Sequence, residues 1–171
     1  MKRNHDTDIL IRKLAPFFDL EKAECDSVQR PIGWLRKTNR NFDILRISKI
    51  PVLEIEVAEK EIMVSFLTEH EHFSGHDRMC LDVYGKNHVE AAADFLEKIF
   101  TKPIILTRKF KGGKMLYSAS AFWVNGKQVR INATWHGRLA CIFNPFAKTR
   151  TETTAWAFSG GAWKELPSQN R

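Results

Sequence analysis

Asn125-Gly126, set between two alternating runs, constrains this chain more than any other pair of residues. A two-residue hairpin loop of the tightest kind needs positive φ at both central positions, which Asn and Gly tolerate best. The pair therefore predicts two antiparallel strands, and the loop length predicts their register. Val124 falls opposite Lys127, Trp123 opposite Gln128, Ala121 opposite Arg130, Ala119 opposite Asn132 and Tyr117 opposite Thr134. Side chains alternate across a sheet, so Leu116, Ser118, Ser120 and Phe122 share a face with Val129, Ile131, Ala133 and Trp135. That set is the more apolar and is expected to face the core.

Other strands are expected around this hairpin. Leu53, Ile55 and Val57 alternate with Glu54 and Glu56, and a tight Glu59-Lys60 turn leads to a second strand at Ile62–Leu67. Further strands are expected at Met79–Tyr84, Ile104–Phe110, Leu139–Phe143 and, more weakly, Thr153–Phe158. Two helices complete the pattern. An amphipathic segment over 8–24 carries Ile9, Leu10, Leu14, Phe17 and Phe18, with Pro16 splitting it or moving its start. A second, HVEAAADFLEKIF, follows Asn87 as N-cap and ends at Pro103. The predicted class is α+β: a mostly antiparallel curved sheet of two meanders, with an N-terminal helix and one central helix packed on it. Pattern leaves open whether the central helix separates two small sheets. Residues 1–41 read as the N-terminal helix and a basic connector, 42–166 as one α+β domain, and 167–171 as a frayed tail.

Composition excludes several classes. With 171 residues, 43% hydrophobic and 27% charged, the chain can bury a core and is neither a disordered polyelectrolyte nor collagen-like. Cys25, Cys80 and Cys141 are odd in number and form no CxxC pair, so no disulfide framework or zinc ribbon is indicated. Charged residues interrupt the start of the chain, so no secretory signal or membrane-spanning run is expected, and a cytoplasmic location is the default.

Charge placement carries more than the net +7. Residues 1–60 sum to +2 and 61–101 to −5, whereas 102–171 hold 12 basic side chains against Glu152 and Glu165 alone. Such a one-sided block attracts polyanions. Trp123, Tyr117, Gln128, Arg130, Asn132 and Thr134 are expected on the non-core face of the hairpin, spaced by Ala119 and Ala121. Flat rings with cations and open space suit stacking of bases, with Lys and Arg on the phosphates. The preceding segment, read as a loop, adds Arg108, Lys109, Lys111 and Lys114 with Gly112 and Gly113, and Lys127 and Arg138 extend the basic surface. The expected activity is therefore non-enzymatic binding of single-stranded or structured RNA or DNA. The alternative is a protein-interaction module that covers an acidic or nucleic-acid-binding surface of a partner. Oligomeric state has no sequence signal.

Three other patterns have chemical content. His70, His72 and His76 have an HxHxxxH spacing that resembles the first half of a cupin metal motif, with Asp77 or Cys80 as further donors. The glutamate that follows in that family is missing here. The same histidines could instead supply acid–base groups for a nuclease, with or without a divalent metal. Residues 51–100 faintly resemble the second half of a double-stranded-RNA-binding domain. That family opens its last helix with a basic pair, whereas here Lys86 stands alone before Glu90, Asp94 and Glu97. Ser118, Ser120 and Ser159 lack the GxSxG elbow of a hydrolase nucleophile, and His136 reads as a turn residue.

Overall fold

A computed structural model describes residues 4–19, 23–32, 38–49, 51–67, 69–74, 85–136, 148–159 and 161–167. Among the described residues the chain is α+β, with two helices and two antiparallel five-stranded sheets, neither closed into a barrel. It divides into two compact units, residues 1–66 with 70–97, and residues 67–69 with 98–171.

The first unit begins with helix α1, His5–Leu14. Asn4 caps it by accepting the Asp6 N–H at 3.1 Å, and Asp6 and Asp8 in the first turn oppose Arg12 and Lys13 in the last. That charge order suits the helix dipole. Leu10 and Leu14 are buried. The helix is shorter than the expected 8–24 because Pro16, with no N–H, cannot continue its hydrogen-bond ladder.

Five strands follow in consecutive order: β1 (Glu24–Ile32), β2 (Thr38–Lys49), β3 (Val52–Ala58), β4 (Glu61–Phe66) and β5 (Glu69–Ser74). The expected β3–β4 hairpin is present, with Ala58 opposite Glu61 and Lys60 at φ 59° in the turn. Leu53, Ile55 and Val57 alternate into the core with Ile62, Val64 and Phe66. Residues 27–32 and 38–41, expected as part of a basic connector over 27–41, are strands instead. Pro31 is tolerated because β1 is the edge of the sheet, where a missing N–H breaks no inner ladder.

Asp43 on β2 ties the first unit together. It is 3% exposed and accepts the Asn4 N–H at 2.6 Å, the Thr7 hydroxyl at 2.8 Å and the Ser27 hydroxyl at 2.5 Å. One carboxylate thus holds the start of α1 and the middle of β1 on β2.

Helix α2, His88–Thr101, matches its sequence signals. The Asn87 side chain accepts the Glu90 N–H at 2.9 Å, and Val89, Ala92, Ala93, Leu96, Ile99 and Phe100 are buried at helical spacing.

The second unit contains β6 (Ile104–Lys111), β7 (Lys114–Val124), β8 (Lys127–Trp135), β9 (Thr149–Ser159) and β10 (Ala162–Leu166). Strands β6, β7 and β8 form the expected meander. β9 then returns beside β6, giving the order β10-β9-β6-β7-β8 with a Greek-key return. Phe100 meets Phe158 and Trp163, with ring centroids 5.1 and 6.1 Å away. Thr153–Phe158 belongs to a longer strand than expected, whereas Met79–Tyr84 and Leu139–Phe143 lie outside the described residues.

Candidate nucleic-acid interface

The second sheet has two unlike faces. On one, Ile104, Leu106, Leu116, Ser118, Ser120 and Phe122 are all buried. On the other, the described side chains of β6, β7 and β8 are all half-buried or exposed. Cross-strand register sets that second face out in rows. Thr151, Lys109, Tyr117 and Trp135 form one row; Thr153, Thr107, Ala119 and Ala133 the next; Ala155, Ile105, Ala121 and Arg130 a third; Trp123 and Gln128 the last. Aromatic side chains therefore stand at both ends of a floor made mainly of small ones.

At one end Tyr117 and Trp135 lie with ring centroids 4.9 Å apart and tilted by 54°, and the Lys109 ammonium is 5.9 Å from the Tyr117 centroid. Trp135 is 62% exposed, unusual for a ring of that area. At the other end Trp123 is half-buried beside exposed Gln128, with exposed Arg130 one row away.

This arrangement corrects the sequence reading of β8. The hairpin loop and the pairs from Val124–Lys127 to Ala121–Arg130 are as expected. A β-bulge then shifts the register, so that Asn132 faces Ser120, Ala133 faces Ala119, Thr134 faces Ser118 and Trp135 faces Tyr117. Two residues, Arg130 and Ile131, occupy the space of one, and every later side chain changes sides. Asn132 and Thr134 leave the open face for the buried one, while Trp135, expected in the core, joins Tyr117 outside.

The bulge has a chemical consequence on the buried side. Within the second unit, Glu69 is 6% exposed and accepts hydrogen bonds from the hydroxyls of Ser118 and, at 2.8 Å, Thr134. His136 Nε2 lies 2.7 Å from Ser118 Oγ. The single hydroxyl proton of Ser118 is directed to Glu69, so His136 Nε2 must be the donor to the serine oxygen. A serine nucleophile needs the opposite, an imidazole that accepts its proton. The cluster satisfies a buried carboxylate, and sequence reasoning missed it because Glu69 and Ser118 are far apart in the chain.

The segment expected as a basic loop is instead a second tight hairpin. Lys111 pairs with Lys114, and only Gly112 and Gly113 turn, at φ 55° and 78°. Those positive φ values explain both glycines and keep the neighbouring lysines in the ladder. Arg108 lies in the register of Ser118, on the buried face, 3.4 Å from Glu152; Arg150 also pairs with Glu152 at 2.8 Å. Both guanidiniums flank the Phe110 ring. Lys109, Lys114, Lys127, Gln128 and Arg130 are exposed, and Arg138 lies outside the described residues.

In the first unit, His70 and His72 are exposed on β5 with ring centroids 5.2 Å apart. His72 Nδ1 is 3.6 Å from Glu61, whose carboxylate also meets Arg40 at 2.6 Å. His76 lies outside the described residues, and among those described no group of three metal-type donors converges. Lys86 is bonded to Asp94, which raises its pKa and engages the one base at the start of α2. No described helix is long and apolar enough to cross a membrane. Compared with protein-family models, curated proteins and solved structures, the chain matches none.

Proposed function

We propose that the chain binds nucleic acid, without cleaving it, on the open face of its second sheet. The observation that carries this reading is the coincidence of three features on that face. Tyr117, Trp135 and Trp123 offer rings, Lys109 and Arg130 offer cations, and Ala119, Ala121 and Ala133 leave room between them. The segment that builds this face also carries the charge asymmetry, +10 over residues 102–171. An anionic polymer with flat apolar units is complementary to both.

Phosphate neutralisation releases condensed counterions, so binding should weaken as salt rises. With Lys109 and Arg130 on phosphates, log K should fall against log salt with a slope of about −1.4, at ~0.7 per contact on a single strand. Replacing Lys109 and Arg130 together by Glu should make that slope shallower by about 1.4. Fluorescence anisotropy of a labelled oligonucleotide across a salt series measures both. A wild-type slope near zero, or one that the double variant leaves unchanged, refutes the reading.

A protein partner is the second reading. Strand β8 is at the edge of its sheet and exposes Val129 and Trp135, at 51% and 62%. A stoichiometric protein complex that forms without nucleic acid and resists salt would favour it over the first.

A further inference from the structure

We infer that the ligand of this face is a single strand, laid along β7 from the Tyr117–Trp135 pair to Trp123 and covering about six nucleotides at stacked spacing. The inference rests on the nucleic-acid reading above and narrows it. Its basis is the placement of rings relative to cations. Tyr117, Ala119, Ala121 and Trp123 follow one another on one side of β7, and the two ends are six residues, roughly 20 Å, apart. Lys109 flanks this line from β6 and Arg130 from β8, one on each side.

A duplex presents phosphates and groove edges and keeps its base faces stacked inside. Rings on a sheet face have nothing to stack on in such a ligand. A single strand exposes its bases, so both aromatic ends can engage at once. The alanine floor then accommodates the nucleotides between them without displacing any larger side chain. At ~3.4 Å per stacked nucleotide, 20 Å corresponds to about six, and fewer if the strand is extended. Cations on both flanks of β7 can meet the backbone whichever way the sugars turn. Between the two aromatic ends the line on β7 carries Ala119 and Ala121, which have no side-chain donor or acceptor to read base identity, so the preference is for strandedness over sequence.

The test compares oligouridylates of 2, 4, 6, 8 and 12 nucleotides, and a 16-base-pair duplex, at one fixed salt by anisotropy. The expected result is at least tenfold tighter binding of the 8-mer than of the duplex, with affinity rising steeply to about six nucleotides and then flattening. Ala119→Phe, on a half-exposed strand position where an aromatic residue is tolerated, should weaken the 8-mer at least tenfold while leaving the thermal midpoint in place. Duplex binding as tight as single-strand binding overturns this inference and leaves the nucleic-acid reading standing. So does an Ala119→Phe protein that binds the 8-mer as the wild type does. Absence of binding to every nucleic acid overturns both.

Discussion

Removing Tyr117 and Trp135 together by alanine substitution should weaken single-strand binding by about tenfold to a hundredfold while leaving the fold intact. Stacking on an aromatic side chain contributes about 1–3 kcal/mol per base, and about 1.4 kcal/mol is tenfold in affinity. The pair at 4.9 Å forms one stacking position, so the double variant loses one base contact of that size, together with the ring that the Lys109 ammonium lies over. Trp135 is mostly exposed and Tyr117 half-buried, so little core packing goes with them. Trp123→Ala should lower affinity by a similar factor. Because Trp123 is six residues further along β7, the two losses should add in free energy. Val52→Ala, an exposed apolar change in the first unit, should leave affinity unchanged. Equilibrium binding of the wild type, these three variants and the variant lacking all three rings reads the effect. Affinity that survives removal of all three rings would assign the binding to charge alone.

Asp43→Ala should strongly destabilise the first unit, costing about 3 kcal/mol or more. Three donors converge on this buried carboxylate, from Asn4, Thr7 and Ser27, and hydrogen bonds to a charged acceptor contribute roughly 1.5–3 kcal/mol each without adding fully. Thr7 is itself fully buried, so its hydroxyl is left without the carboxylate that satisfies it. Asp43→Asn keeps one acceptor oxygen and should cost less. Urea unfolding with an unchanged m-value would report the difference as a shift in midpoint. A loss below about 1 kcal/mol would mean that α1 and β1 are held mainly by apolar packing.

Both predictions draw on features that were unequally legible in the sequence. The Asn125-Gly126 turn and the facing of Tyr117, Ala119, Ala121 and Trp123 follow from loop geometry and strand period, and they hold. The bulge at Ile131 does not follow from them. Nothing in Arg130-Ile131-Asn132 marks an extra residue, whereas the hydrogen-bonding demand of Glu69 gives Thr134 a reason to turn inward. Trp135 reached the open face by the same shift. Helix α2 was legible because Asn87 and Pro103 mark its ends and apolar spacing fills the interval. Strand β1 was not, since Glu24, Asp26, Gln29 and Pro31 carry the polar and turn-forming character of a connector. Its pairing with β2 is fixed by partners elsewhere, among them Asp43 to Ser27 and Arg46 to Asp26. The same limit applies to the Glu69 cluster, whose members no local pattern joins.

The proposed seat of nucleic acid is one face of the second sheet. Photo-crosslinking an oligonucleotide that carries 4-thiouridine, followed by mass spectrometry of the linked peptides, tests it most directly. Adducts should map to Tyr117, Trp123 and Trp135 and weaken as salt rises. Adducts confined to residues of the first unit, such as His70 and His72, would contradict it.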